Sequence, residues 1–441
     1  MTNSDWRYQN RNPQQPLSEQ LTVNPTSRAI AMACRPLLSL PVVTLMATIS
    51  GLAHAELVQG ADAKSDYPTE SNAPSSMVVI NTDQVLQCAQ VDINSARLAC
   101  FDKVAKGNSA NVGASKAPLD LAKTLTTSIQ EGKAVAVLAE KPETGLPDNV
   151  DENDKAILSE VGVTKGDVKR YSQLSMLYDL DENDPRGVFT LRPHRATYVM
   201  PVWYSATPNR DIHSPTRSHL TYSHDELQNL DSKMQISLKS KLMEDVFGTN
   251  ADVWFGYTQQ SYWQVFNRHS RPFRSTDYQP EVMITQPITA ALPFGGDLRV
   301  LGAGIVHQSN GQDDPLSRSW NRAYVMAGME WGNLSLISRL WAIGDTENTH
   351  NNDNPDIGDY MGYGDMRWLY DMGGQRAVGG LLRYNPATEK GAISVDYTHP
   401  ITGGMKAYIQ LFHGYGENIQ DYNHKSTNVG IGLTFNDFRG L

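Results

Sequence analysis

The 441-residue sequence predicts an antiparallel β-barrel that crosses a membrane, preceded by an export segment and an N-terminal extension. Three observations predict it. Mean hydropathy is −0.43 with 20% charged residues, which argues against a bundle of apolar transmembrane helices. It does not exclude a barrel, whose strands alternate polar and apolar residues. From about Lys169 onward, segments of roughly 10 residues show that alternation, separated by Gly, Asn, Asp and Pro. Finally, the one long apolar run, Leu37 to Ala55, follows Arg28 and Arg35 and ends in Ala53-His54-Ala55, the pattern of a secretory signal peptide. The 19 Tyr, 8 Trp and 34 Gly suit aromatic girdles and tight strands. A net charge of −10 argues against nucleic acid as a partner, since neutralising phosphates needs a Lys/Arg surplus.

In chain order, residues 1–55 read as the signal, with the mature chain beginning near Glu56. The polar stretch before Arg35 is either an extended n-region or lies upstream of a true start at Met32. Cys34 leaves with the signal. Cys88 and Cys100 remain, an even pair in an exported chain, which predicts a disulfide. Helical spacing of the apolar residues around them predicts that it staples a short helical hairpin. Residues 56–168 are nearly free of aromatics and read as a poorly structured periplasmic extension. Within it lie a small polar linker (Gly107 to Ala117), an amphipathic helix (Asp120 to Glu131) and a solvated acidic loop (Asp148 to Asp154).

Residues 169–441 read as the barrel. Lys233 to Leu242 places Met234, Ile236, Leu238 and Leu242 on one face, with Lys233, Gln235, Ser237, Lys239 and Lys241 on the other. Ala392 to Tyr397 and Thr427 to Phe435 repeat the pattern. Period two means opposite faces of a sheet. In a soluble sandwich the apolar face would meet a second sheet; the signal and the aromatics favour lipid. Lys239 and Lys241 then point inward and need interior partners.

One hairpin carries chemistry. Leu301, Ala303, Ile305, His307 and Ser309 share a face, Asn310-Gly311 begins a turn, and the return strand puts Asn321, Ala323, Val325, Ala327 and Met329 on its own apolar face. A His, a Ser and an Asn therefore project among apolar residues from one end of two adjacent strands. Each needs a polar partner there. A mutually bonded row would satisfy all three and would also be a hydrolytic triad: Ser309 as nucleophile, His307 as base, Asn321 fixing the imidazole tautomer, and the Gly311 amide facing the oxyanion. From spacing alone the plainer reading, ordinary interface residues at a strand end, is modestly favoured; the position of Asn321 on the apolar face of the adjacent strand brings the two readings to about equal standing.

The run His307-Gln308-Ser309-Asn310-Gly311, followed by Asp314-Pro315-Leu316-Ser317-Arg318-Ser319-Trp320-Asn321-Arg322, resembles the signature of the bacterial outer-membrane phospholipase A family. Ordered motifs from Tyr178 to Asn423 extend the likeness, among them Leu191-Arg192-Pro193-His194, Pro272-Phe273-Arg274, Asp353-Asn354-Pro355-Asp356-Ile357 and Gly414-Tyr415-Gly416-Glu417. The resemblance implies a twelve-stranded antiparallel transmembrane β-barrel in the bacterial outer membrane. It implies hydrolysis of acyl esters at both glycerol positions of phospholipids, and of lysophospholipids, in the outer leaflet. By motif position it makes Ser309, His307 and Asn321 the triad. It also implies calcium as cofactor and an active homodimer. The matching calcium positions are the Gln312 carbonyl, the Ser317 hydroxyl and the carbonyl of Ser270 from the partner, with Asp353 and Asp314 at a second position. Calcium takes such hard oxygen ligands.

Several residues depart from the family pattern. Gln308 stands where Asp is frequent and Gln312 where Arg is frequent; Arg271 adds a cation beside Ser270. The chain ends three residues past Phe438, where barrels usually end in an aromatic residue. The 56–168 extension has no counterpart in the family core. Asp179, Asp181 and Asn183 read as a turn before the first strand, and His194, His219, His224, His269, His350, His399, His413 and His424, scattered and with no His-x3-His pair, make metal clustering an unfavoured expectation. Ile236, Leu238 and Gln259 form either a dimer face or an ordinary lipid-facing surface. Two rivals remain from other classes: a catalytically silent pore or adhesin barrel, and a soluble secreted β-sandwich esterase.

Overall fold

The computed structural model describes residues 81–435 apart from 107–116, 140–143, 183, 270–272, 345–351 and 403. The signal segment, Cys34, Ser270, Arg271 and Phe438 lie outside the described residues.

The extension is more ordered than its composition suggests. It folds into short helices whose ends are fixed by side chains: α1 (Thr82–Gln90), α2 (Asn94–Lys106), α3 (Leu121–Glu131), α4 (Glu152–Val161) and α5 (Lys165–Lys169), and a further helix, α6 (Gln173–Tyr178), follows within the range read as barrel, whose first strand begins only at Tyr198. Asn81, Asp120, Asp151, Thr164 and Ser172 each accept a hydrogen bond from a free amide of the first turn. The acidic stretch ending at Asp154 is thus in part a cap, and Asp154 itself is buried. Cys88 and Cys100 form the expected disulfide between α1 and α2. Together with Val91, Ala96, Val104, Leu158, Val163 and Val168 they make a small core.

The barrel has twelve strands: β1 (Tyr198–Ser205), β2 (Leu230–Val246), β3 (Ala251–Trp263), β4 (Ser275–Leu292), β5 (Gly296–Ser309), β6 (Ser319–Trp331), β7 (Leu334–Ile343), β8 (Gly364–Gly373), β9 (Arg376–Asn385), β10 (Lys390–Thr402), β11 (Met405–Tyr415) and β12 (Lys425–Thr434). Each pairs antiparallel with its sequence neighbour, and β12 pairs with β1 to close the sheet. Closure leaves no unpaired edge, the condition for a sheet in hydrocarbon. Short turns sit at one end and longer loops at the other. The helical domain docks on the turn end: the Gly374 amide donates to the Asp92 carbonyl (3.2 Å), Lys169 pairs with Asp297 (2.8 Å), and Leu119 runs parallel to Ile288 on β4.

Side-chain alternation separates two environments. Val202, Phe255, Val282, Ile305, Val325, Leu340, Ile393, Leu411 and Ile431 stand exposed on the outside, a continuous apolar belt far larger than a water-facing monomer shows. Inside, Trp203, Trp254, Tyr262 and Tyr408 are fully buried. Leu174, Leu177 and Tyr178 of α6 join the lumenal core with Trp254, Met283, Val300 and Leu369. Lys239 and Lys241, both inward, find different partners. Lys241 pairs with Asp179 (2.8 Å) and Asp252 (2.8 Å), whereas Lys239 Nζ sits over the rings of Tyr178 (4.0 Å) and Trp254 (4.8 Å). Asp179 therefore serves a buried ion pair rather than a calcium loop. A lumen filled in this way is a packed core, which is at odds with an open pore.

Candidate active site

Strands β5 and β6 pair with Asn321 directly opposite His307 and Ser319 opposite Ser309. The outward side chains of this hairpin are Ile305, His307, Ser309, Asn321, Ala323 and Val325; their neighbours Val306, Gln308, Trp320 and Tyr324 are buried. The polar residues do project from the apolar belt, at its loop end. His307 Nδ1 lies 2.8 Å from Asn321 Oδ1. That is the geometry of a cross-strand pair, whose Cβ atoms stand about 4.5–5.5 Å apart. Ser309 follows two residues on and half-exposed; its hydroxyl makes no hydrogen bond among the described residues.

The inward face of the same hairpin holds the outward groups in place. The Gln308 amide donates to Asp277 (3.0 Å), and its oxygen accepts from Trp320 Nε1 (2.9 Å) and Arg322 (3.1 Å). Gln308 thus ties β5 to β4 and β6 directly behind His307 and Ser309. Gly304 contributes by its lack of a side chain. A Cβ there would meet the Tyr324 hydroxyl at 2.6 Å, blocking the bond from that hydroxyl to Glu281.

The loop after Ser309 is shaped by a residue the sequence reading passed over. Asn310 is buried; its Oδ1 accepts from the amides of Gln312 (3.3 Å) and Arg318 (2.9 Å), and its Nδ2 donates to the Leu316 carbonyl (2.7 Å). Asn before Gly in a hairpin connection is a turn signal, and that signal was its only trace in the sequence. Gly311 has φ +61, and an added Cβ would lie 3.1 Å from the Tyr278 ring. Arg318, fully buried, closes the loop by donating to the carbonyls of Pro315 (3.0 Å) and Ser317 (2.6 Å). Burial lowers the pKa of its guanidinium from the ordinary arginine value.

The oxygens assigned to calcium partly converge. Ser317 Oγ donates to Asp353 Oδ2 (2.8 Å), and Ser319 Oγ reaches the same atom (3.2 Å). The other Asp353 oxygen accepts from Arg217, whose Nε lies 2.6 Å from Asp314 Oδ1. A guanidinium therefore bridges the two carboxylates of the second calcium position. Gln312 is half-buried at the tip of the loop beside Gly311. Ser317 and Gln312 carry oxygens of the hard kind calcium takes, whereas the carboxylates of Asp314 and Asp353 are already bridged by Arg217.

Arg217 belongs to a hairpin that sequence reading did not single out, formed by Asp211–Ser214 and Arg217–Thr221 in the loop between β1 and β2. It brings together Asp211, His213 and His219, with ligand atoms within 4.8 Å of one another. Of the histidines read as scattered, His219 is thus brought beside His213, which the sequence reading did not weigh, by a turn that makes them neighbours.

With this geometry in view, comparison with known proteins decides the family. A family model described as Phospholipase A1 matches residues 174–435. The chain belongs to the phospholipase A1 family. It is 48% identical over 367 residues to a putative phospholipase A1 of Neisseria meningitidis serogroup B, covering 81% of this chain and 92% of that protein. That match is longer than the barrel, so it reaches into the helical extension. The phospholipase A1 of Escherichia coli K12 is 35% identical over 264 residues, 58% of this chain and 85% of its own. Among solved structures, the outer membrane phospholipase A from Escherichia coli matches with a TM-score of 0.53 and 32% identity, covering 60% of this chain and 98% of that one. An active-site mutant of the Escherichia coli protein, with an asparagine changed to alanine, matches equally well. A Salmonella typhi outer membrane phospholipase, a dimer with bound calcium, matches with a TM-score of 0.51 and 33% identity over 59% of this chain and 96% of that one. This phospholipase A1 family member is accordingly a twelve-stranded barrel enzyme of the outer membrane that hydrolyses phospholipids.

Proposed function

We propose that the chain hydrolyses acyl esters of phospholipids and lysophospholipids, at both glycerol positions, through Ser309, His307 and Asn321. The observation that carries this reading is the 2.8 Å contact between His307 Nδ1 and Asn321 Oδ1 on the lipid-facing side, with Ser309 two residues on from His307 on the same strand face. The asparagine named in the active-site mutant of the Escherichia coli relative supports the role of Asn321.

With Nδ1 protonated and donating to Asn321, the ring leaves Nε2 as the base. Ser309 Oγ attacks the ester carbonyl carbon while its proton passes to Nε2. The acyl C–O bond then breaks, and Nε2 returns the proton to the departing glycerol oxygen. Water repeats the sequence on the acyl-serine, releasing the fatty acid and restoring the hydroxyl. The Asn310 amide is taken up by the Arg318 carbonyl (3.0 Å), so the Gly311 amide, presented by the positive-φ turn, is the next donor along the chain for the developing oxyanion. A neutral asparagine suits the apolar setting, where a carboxylate would carry a larger desolvation cost.

The Gln312 carbonyl and Ser317 hydroxyl, with the Ser270 carbonyl of a second copy, are the groups that would hold calcium. Bound there, the ion would supply positive charge beside the oxyanion. This requires a homodimer, for which the calcium-bound Salmonella dimer is the support. Ile236 and Gln259, paired across β2 and β3 on the outward face, are the surface we assign to the second copy.

The test is fatty-acid release by purified protein in detergent, with calcium or with EDTA, beside Ser309→Ala. Activity is expected to vanish in the variant and to be reversibly lost in EDTA, with the heat-modifiable barrel intact. Undiminished release by Ser309→Ala refutes the nucleophile, and release unaffected by EDTA refutes the calcium requirement.

A further inference from the structure

We infer that the Asp211–Ser214/Arg217–Thr221 hairpin is a binding site for a divalent transition cation of the zinc class, held by the Asp211 carboxylate and the imidazoles of His213 and His219. Nothing in the hydrolytic reaction uses these residues.

The register of the hairpin produces the constellation. Asp211 pairs with Thr221 and Ile212 with Leu220, a register that sets His213 opposite His219. The pairing then shifts so that Ser214 meets Arg217, leaving Ser218 as the extra residue of a bulge. Asp211 and His213, two apart on one strand, share a face, and His219 joins it from the other strand. The opposite face is anchored: Ile212 is fully buried, and Ser214 is buried with it. One side of the hairpin is thus packed, and the other presents two imidazoles and a carboxylate.

The distances are those of a site awaiting a small cation. His219 Nδ1 lies 3.0 Å from Asp211 Oδ1, and His213 Nδ1 lies 3.7 Å from Asp211 Oδ2. With bonds of about 2.0–2.1 Å, ligand atoms on a tetrahedron stand about 3.4 Å apart, between the two values. The two rings are stacked, with centroids 4.4 Å apart and planes 10° from parallel, so both present their edges to the same side. His213 Nδ1 also lies 3.1 Å from the Asp211 carbonyl oxygen, a contact that requires a protonated Nδ1 and that cation binding at this nitrogen would replace. Two nitrogens and one carboxylate suit zinc and its neighbours, not calcium, which takes six to eight oxygens. The site is therefore chemically distinct from the oxygen cluster around Ser317. Three protein ligands leave a fourth position for water or for a small anionic ligand.

The frame is built before any ion arrives. Ser214 Oγ donates to the Asp353 carbonyl (2.6 Å), Thr216 Oγ1 to the Asn352 carbonyl (2.5 Å), and Asn423 Nδ2 to the His213 carbonyl (3.0 Å). Two loops thus hold the hairpin, and binding need not order a free segment.

The experiment uses the full chain, purified without a histidine tag in detergent, stripped with EDTA and returned to saturating calcium. Zinc is titrated calorimetrically into the parent, His219→Ala, the His213→Ala/His219→Ala double variant and the near-isosteric Asp211→Asn. The parent is expected to bind one zinc per chain that calcium does not displace. Loss of one ligand weakens binding about tenfold or more, since even the partners of metal ligands matter by 10–100-fold. The double variant is expected to lose the site while keeping its zinc-free fatty-acid release and heat-modifiable mobility. Zinc bound as tightly by the double variant as by the parent overturns the assignment. So does a parent that binds no zinc in the presence of calcium. Loss of zinc binding together with loss of the barrel in the histidine variants transfers the decision to Asp211→Asn, whose parent-like affinity would also overturn it. The assignment does not depend on the triad: a catalytically dead Ser309→Ala protein is expected to bind zinc like the parent.

Discussion

Replacing Asn321 by alanine removes the acceptor 2.8 Å from His307 Nδ1 and leaves the rest of the outward row in place. The size of the effect follows from what the ring does. In the resting state this is a bond between neutral groups, contributing about 0.5–1.5 kcal/mol. When His307 takes the serine proton the donor becomes an imidazolium, and a bond to a charged group is worth about 1.5–3 kcal/mol. Only the part that strengthens on the way to the transition state accelerates the reaction. At about 1.4 kcal/mol per decade, losing both orientation and charge stabilisation lowers kcat about 10- to 100-fold. KM is expected to hold, since Asn321 faces the ring rather than the lipid head group. The assay is steady-state fatty-acid release from mixed micelles at saturating calcium, with heat-modifiable mobility as the control for folding. An unchanged kcat would refute the orienting role. A loss as complete as that of Ser309→Ala would refute it too, because an orienting group leaves residual catalysis.

Further consequences concern the loops. Asn310→Ala deletes the bonds to Gln312, Leu316 and Arg318, so fatty-acid release should fall at least about tenfold while barrel mobility is retained; full activity would mean the loop is shaped by other contacts. Arg217→Gln removes the cation between Asp314 and Asp353, so the melting temperature in EDTA should drop and calcium should restore it, whereas an EDTA-insensitive variant would show that the carboxylates tolerate each other unpaired. Asp421 offers a test of pH dependence. Burial alone would raise its pKa, but Arg274 at 2.9 Å and the amides of Asn418 and Asn209 hold it below the usual carboxylate value. A depressed folded pKa contributes stability above the unfolded value of about 3.9, lost as pH falls through the folded one. Protection of residues 416–424 against acid protease should therefore persist to about pH 4 and disappear below it, and Asp421→Asn should abolish that transition. An identical low-pH profile in the variant would contradict the attribution.

Much of this protein is local and was legible as such. Strand alternation is set by the backbone, so Ile236, Lys239 and Lys241 could be assigned to their faces from spacing alone. The same period put His307, Ser309 and Asn321 on the outward face, because a hairpin turn relates residues near in sequence. The cysteine pair was readable for a similar reason, being separated by 12 residues within one helical hairpin. What composition underestimated was the extension, whose few apolar residues suffice for a core once capped helices bring them together.

Other features exist only because distant segments meet. Arg217 reaches Asp314 and Asp353 across loops whose relative position is set by closure of the barrel, and no local pattern encodes that meeting. His213 and His219 face each other because a bulge follows their pairing, which depends on how the hairpin seats on the Asp353 loop. The sequence by itself determined periodicity, and with it the faces of strands and the row of three polar residues. The tertiary structure decided which loops converge at the rim, because contact between them depends on the closure and stagger of the whole sheet rather than on any neighbouring residue.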